Sequence, residues 1–264
     1  MKKIFFGIAG AVALSLAISC QKSDKEALTE DNGVSPEISA KISALGLTAQ
    51  GAYKTDGGYI AEGDIFLDDA MLNSTPEQKF LVVAGEEQYR TTNLVTGLPR
   101  TITVRYANTT ASISTAINNA IARYNALPLQ IKFSRVTSGG NIVISNVSGV
   151  SYIASAGFPS GGNPFNSIRF NTTYSTLAAN TLTSVIAHEM GHCIGFRHTD
   201  YACRQYSCGG AAVNEGAAGV GAIHIPGTPT ACNGDPTSWM LACIGNGVNR
   251  PFNANDQVAL NFLY

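Results

Sequence analysis

Charge is what this chain has least of. Asp, Glu, Lys and Arg make up only 13% of its 264 residues and sum to a net charge of −1, whereas about a quarter of an ordinary globular domain is charged. Without a basic field there is nothing to hold a phosphate backbone, which excludes nucleic acid as a partner. Long apolar runs are equally scarce. The first, residues 4–18, falls short of the roughly 20 residues that a spanning helix needs. No internal repeat and no low-complexity tract is present, and no cysteine occurs between Cys20 and Cys193. What remains is a chain with 45% apolar residues, enough for an ordinary core, under a surface that must be built from Asn, Thr, Ser and Gly.

Lys2 and Lys3 ahead of the short apolar run predict a signal peptide over residues 1–19. It ends in Leu16-Ala17-Ile18-Ser19-Cys20, which resembles the lipobox of bacterial lipoproteins with Ala17 in place of the usual Leu. That resemblance implies lipidation of Cys20, a lipid anchor in the membrane, and an outer-membrane or cell-surface address. The polar stretch QKSDKE that follows resembles the export tags of surface lipoproteins, and residues 20–34 read as a flexible tether.

The chemistry concentrates in His188-Glu189-Met190-Gly191-His192, with Gly195 and His198 behind it. On a helix, His188 and His192 project from one face, so two imidazoles reach a single tetrahedral zinc ion. Glu189, next to the first ligand, is placed to act as general base, taking a proton from the attacking water. Gly195 permits the left-handed turn that ends the helix, and His198 returns as third ligand.

These five positions match the pattern HExxHxxGxxH, and the chain here resembles the metzincin clan of zinc endopeptidases, closest to the bacterial "HEIGH" metallopeptidases. The resemblance implies an α+β, metzincin-type zincin fold. Its parts are a twisted mixed sheet with a long helix, an active-site helix, and an irregular disulfide-stapled C-terminal subdomain ending in a helix. It also implies Zn2+ as cofactor, protein or peptide substrates and a monomer. Ser238-Trp239-Met240 resembles the Met-turn, with Met240 packed beneath the ligands. Ala242 stands where astacins carry a zinc-binding Tyr, and Asp200 departs from the Glu that astacins place after the third His.

Upstream, Ser35 and Pro36 start a short helix striped with Ile38, Ile42 and Leu45 and ended by Gly46. Residues 59–67 are strand-like around Ala61-Glu62-Gly63-Asp64-Ile65. This stretch is similar to the FxGD motif of astacin propeptides, with Ala61 in place of the aromatic. The similarity implies that Asp64 is a zymogen latch, its carboxylate filling the position meant for water. Gly-Asp is also ordinary turn chemistry, and both readings stay open. With no cysteine between Cys20 and Cys193, a thiolate latch is disfavoured. Polar residues, glycines and Pro99 over residues 85–100 mark a boundary, with Arg90 and Arg100 as exposed cleavage sites. Residues 35–100 are thus a propeptide-like region and 101–264 the catalytic domain.

Within that domain Ile102, Val104 and Tyr106 alternate as a strand, and Ile113, Ala116, Ile117, Ala120, Ile121 and Tyr124 mark one face of a long helix. Further strands are expected over residues 130–136, 141–146 and 167–171, with a loop at 157–164. The active helix should start near Thr181 and turn Leu182, Val185, Ile186 and Met190 to the sheet. Asn253 and Asp256 form the cap of a last helix whose apolar face is Val258, Leu260, Phe262 and Leu263. His224 reads as a bystander. Apart from Cys20 the cysteines are an odd set, so Cys193 is expected free and buried, and the other four allow three connectivities. The rival to a peptidase is a noncatalytic surface lipoprotein that keeps a structural zinc. Glu189 speaks against it, since a structural site needs no base.

Overall fold

The sheet is assembled from both ends of the chain. The computed structural model describes residues 33–74, 88–108, 110–217, 219–230 and 235–264; the signal peptide, Cys20 and most of the tether lie outside the described residues. Helix α1 (Pro36–Ala44) leads to a hairpin unit of β1 (Tyr53–Thr55), β2 (Gly58–Ala61) and β3 (Ile65–Leu67), then a single helical turn, α2 (Asp69–Leu72). The rest runs β4 (Tyr89–Arg90), β5 (Arg100–Tyr106), α3 (Ala111–Asn125), β6 (Ile131–Val136), β7 (Ile142–Val147), β8 (Ala154–Ala156), β9 (Ser167–Asn171), α4 (Ala179–Ile194), α5 (Gln205–Cys208), β10 (Ile223–His224) and α6 (Ala254–Leu263). Eight strands form one sheet in the order β1-β2-β3-β8-β9-β7-β5-β6, and β4 pairs with β10. Pairing is parallel among β6, β5, β7 and β9, while β8 runs antiparallel to β9. The fold is mixed α+β, as the sequence predicts. No helix among the described residues is long and apolar enough to cross a membrane.

Alternation makes β5: Ile102, Val104 and Tyr106 are buried and the residues between them face out. The predicted face of α3 is the buried one, and Tyr124 from that face donates its hydroxyl to the carbonyl of Ala187 at 2.8 Å, tying α3 to α4. Helix α4 starts at Ala179, within two residues of the expected Thr181. Its N-cap, Ala178, has no side chain to offer, and the exposed amide of Ala178 instead donates to Asn246 Oδ1 at 3.0 Å, from near the other end of the chain.

Two expectations about packing are corrected. Residues 88–98 are packed into the rest of the chain rather than lying exposed as a whole. Gln88 and Tyr89 are buried, the amide of Arg197 donates to the Tyr89 carbonyl at 2.9 Å and that of Thr91 to the Gly195 carbonyl at 2.8 Å. Arg90 lies in β4 and Arg100 opens β5, so neither is the exposed cleavage site expected, and residues Asn32–Tyr264 make one compact unit with no break at 100. On α6 the inward residues are Asp256, Ala259 and Leu260, whereas Val258 and Phe262 are exposed. The inward face steps 256, 259, 260, 263, and an i, i+4 pair at 258 and 262 lies off it.

Cysteines behave as their count requires. Cys208 pairs with Cys243, Cys203 is also disulfide-bonded, and Cys193 is free and buried in α4.

Candidate metal centre

Helix α4 is buried along nearly its whole length, Thr181 to Ile194, because α3, the sheet, the segment around Trp239 and the β2–β3 turn all pack against it. It ends at Gly195 with φ +110°. A Cβ there would lie 2.7 Å from Leu94 Cδ2 and 3.0 Å from the Asn93 carbonyl oxygen, so dihedral and space both demand glycine. The chain then reverses and carries His198 back over the helix.

Asp64, His188, His192 and His198 are all buried, with one ligand atom of each within 4.8 Å of every other. The Nε2 atoms of His188 and His192 are 3.0 Å apart. Asp64 Oδ2 lies 3.2 Å from His198 Nε2 and 3.6 Å from His188 Nε2. Four donors at about 2.0–2.1 Å from a tetrahedral zinc stand about 3.3–3.4 Å from one another, and the observed spacings bracket that value.

The far side of each ring explains why the Nε2 atoms face inward. His188 Nδ1 donates to the Trp239 carbonyl at 2.9 Å and His192 Nδ1 to the Phe196 carbonyl at 2.8 Å. A carbonyl only accepts, so the proton sits on Nδ1 and two Nε2 lone pairs face each other at 3.0 Å. A cation between them removes that repulsion. His198 Nδ1 meets Glu215 Oε1 at 2.8 Å and Oε2 at 3.0 Å, the carboxylate–imidazole pairing that fixes ring and tautomer at metal sites. The donor set therefore fits zinc.

Within this group the charges offset one another. Burial on its own would raise the Asp64 carboxyl, but His198 and His188 hold it well below the usual range. Burial likewise works against a charged His198, yet Asp64 and Glu215 raise it well above the ordinary imidazole value. Burial, reinforced by the Asp64 charge, pushes Glu189 well up. One oxygen of Glu189 and Oδ1 of Asp64 are buried without a hydrogen-bond partner among the described residues. Such orphans are costly unless water, substrate or an ion meets them. A cavity of about 210 Å³ opens beside the group, lined among others by Asp64, Tyr152, Val185, His188, Glu189 and Trp239.

The floor is the segment 238–242. Met240 is fully buried and its carbonyl accepts from the amide of Thr199 at 2.9 Å. Gly191 lets it approach: a Cβ at that position would lie 2.3 Å from Trp239 Cη2 and 2.7 Å from Met240 Sδ.

Of the residues singled out by sequence, His188, Glu189, His192, His198, Met240 and Asp64 converge here. Residues 61–65 form a turn joining β2 to β3, with Ala61 opposite Ile65, and this turn brings Asp64 beside the three histidines. Asp200 is buried and accepts from the amide of Ala242 at 3.0 Å and the Ser207 hydroxyl at 2.6 Å, so it anchors the segment after Met240. His224 stays apart, with Nε2 3.0 Å from Thr228 Oγ1. Three residues escaped the sequence reading: Glu215, Arg197 and Glu62. The available signal for Glu215 was its isolation, as the one charged residue in the glycine-rich stretch 209–227.

A family model described as "Dual-action HEIGH metallo-peptidase" matches residues 68–264, most of the chain. No curated protein matches. Solved structures that match include one described as "Structure of myroilysin", 18% identical over 44% of this chain and 57% of that one, with a TM-score of 0.35. Another, "Crystal structure of myroilysin", is 16% identical over 63% of this chain and 83% of that one, with a TM-score of 0.41. This chain therefore spans under two thirds of the first of these and more of the second.

Proposed function

Because the chain belongs to the dual-action HEIGH metallopeptidases, we propose that it is a secreted zinc endopeptidase made as a zymogen. His188, His192 and His198 are the zinc ligands, Glu189 the general base, and Asp64 the latch. The observation that carries this reading is the convergence of three imidazole Nε2 atoms whose Nδ1 atoms are all anchored, beside the buried Glu189, one oxygen of which has no hydrogen-bond partner among the described residues.

When bound, zinc supplies a Lewis acid that polarises a carbonyl and acidifies water. The protein's own groups do the rest. Glu189 accepts a proton from the attacking water and delivers it to the leaving amine. Its burial, which raises its proton affinity, suits a group that must hold a proton between those two steps. The carbonyls of Trp239 and Phe196 and the carboxylate of Glu215 hold the ligand rings in place through the reaction. In the precursor β3 pairs with β8 at Ile65 and Ala156, and the amide of Ala156 donates to the Asp64 carbonyl at 3.2 Å. Loss of the hairpin would free both the fourth ligand position and the edge of β8, on which an extended peptide can add as a strand. In this reading the activating cut falls upstream of Gln88, a position supported by the hydrogen bonds that hold Tyr89 and Thr91 to Arg197 and Gly195. Export through residues 1–19 and tethering by a lipid on Cys20 to the outer membrane or cell surface complete the proposal.

A set of three His and one Asp closes a tetrahedron, as a structural zinc site does, and that is the specific observation in favour of a noncatalytic protein. Glu189 argues the other way, because a closed structural site gives a buried, unsatisfied carboxylate nothing to do. The deciding experiment is cleavage of denatured casein by the purified, activated protein with and without a zinc chelator. Activity lost on chelation and in Glu189→Gln supports the peptidase. A fully metallated, activated protein that cuts nothing rejects it.

A further inference from the structure

The turn that carries Asp64 carries a second buried carboxylate. Glu62 has φ +53° and Gly63 φ +91°, a left-handed pair that reverses the chain and sends Glu62 and Asp64 inward together. Glu62 is 4% exposed and Arg197 1% exposed. Arg197 Nη2 donates to Glu62 Oε2 at 2.9 Å and Oε1 at 3.1 Å, while the amide of Thr48 donates to Oε1 at 3.1 Å. Both Glu62 oxygens meet Nη2 of one buried guanidinium, which is the geometry of an ion pair.

The guanidinium is fixed from other sides. Its Nη1 donates to the Gly221 carbonyl at 3.1 Å, the Tyr201 ring centre is 5.6 Å away, and Glu215 Oε2 stands at 3.7 Å. Arg197 also lies between Phe196, whose carbonyl holds His192, and His198 itself. A continuous set of contacts thus runs from Glu62 through Arg197 and Glu215 to the third imidazole.

We propose that Arg197 is a carboxylate-binding subsite beside the metal centre, which this chain fills with its own Glu62, so that the hairpin is held by two carboxylates rather than by Asp64 alone. The proposal rests on the zymogen reading above and deepens it. Two anchors of different kind explain how a short turn can stay docked: Asp64 sits against the metal-binding imidazoles, so its hold changes with metal occupancy, whereas Glu62 is held by Arg197, away from the ion. The lock is also releasable. A buried charge left alone is heavily penalised, but Arg197 retains Glu215 when Glu62 departs.

The test uses hydrogen exchange on the full-length, zinc-loaded chain, in a Glu189→Gln background to prevent self-cleavage, so that no proteolytic activity is needed for the readout. Glu62→Gln should raise the exchange of amides in residues 58–67 on the order of a hundredfold. Zinc content should stay near one per chain, and α3 and β5 should keep their protection. Removing zinc should raise exchange in the same residues further, and Glu62→Gln with Asp64→Asn should release the hairpin fully. Unchanged exchange in Glu62→Gln, with Asp64→Asn alone releasing the hairpin, overturns the proposal. So does acceleration shared equally by α3 and β5, which would make Glu62 a general stabiliser. Failure of the casein test leaves this result readable, because docking is measured without catalysis.

Discussion

Replacing Gly191 with Ala sets two effects of opposite sign against each other. Inside a helix the exchange normally stabilises by about 0.5–1 kcal/mol, because glycine loses more backbone entropy on folding. Here the added Cβ would stand 2.3 and 2.4 Å from Trp239 Cη2 and Cζ3 and 2.7 Å from Met240 Sδ. The indole cannot retreat freely. It is fully buried, with the rings of Phe252, Phe196 and Tyr124 at 5.0, 5.3 and 5.6 Å. Overpacking of this kind costs about 1–3 kcal/mol, so packing wins and Gly191→Ala should destabilise by roughly 1–2 kcal/mol net. For a unit of this size the melting temperature should fall by a few degrees. The relief available is to push the 239–240 segment away from α4. That segment's Trp239 carbonyl anchors His188, so zinc affinity should fall together with stability. Urea unfolding of the zinc-free protein gives the first quantity and competition with a calibrated zinc chelator the second. A variant as stable as wild type, with unchanged zinc affinity, would refute the claim that this glycine is there for close approach.

Three further outcomes are expected. Glu215→Gln should weaken zinc retention about 10- to 100-fold, because a neutral amide holds the His198 ring and tautomer less firmly than the carboxylate now 2.8 Å from Nδ1; unchanged zinc competition would remove Glu215 from that role. The Asp64→Ala precursor should be partly active before any cleavage, and equal activity of both precursors in a quenched-peptide assay would dispose of the latch. Asp256 is pushed up to about 7, first by burial and then by the charge of Asp235, against the hydrogen bonds it accepts. Since its unfolded value is near 4, its contribution to stability is fully present below about pH 4 and fades as pH rises through about 7, by up to about 4 kcal/mol. Asp256→Asn should flatten that decline in urea titrations of the zinc-free protein run between pH 4 and 8, and an unchanged slope would count against it.

The sequence by itself determined whatever depends on spacing along one element. The 3.6-residue period puts His188 and His192 on one side of α4. The i, i+3 reach of Asn253 and Asp256 closes the capping box of α6. The period of two buries Ile102, Val104 and Tyr106. An odd cysteine set requires a free thiol, and burial within α4 made it Cys193. Tertiary structure decided what depends on who approaches whom. Whether Ala61 to Ile65 is a plain turn or a carboxylate delivered to the histidines depends on β3 pairing with β8 across the sheet, a contact between segments about ninety residues apart in sequence. What caps α4 was illegible because the amide of its N-cap residue, Ala178, is met from Asn246 far along the chain. The close packing of residues 88–98 was illegible because Gln88 and Tyr89, polar and aromatic in an irregular stretch, spend their hydrogen bonds on Arg197, Asp256 and Ile225. Glu62, Arg197 and Glu215 lie far apart in the chain and share no local pattern. They become one buried network only because folding brings their charges to the same place, where each must find a partner or remain in water.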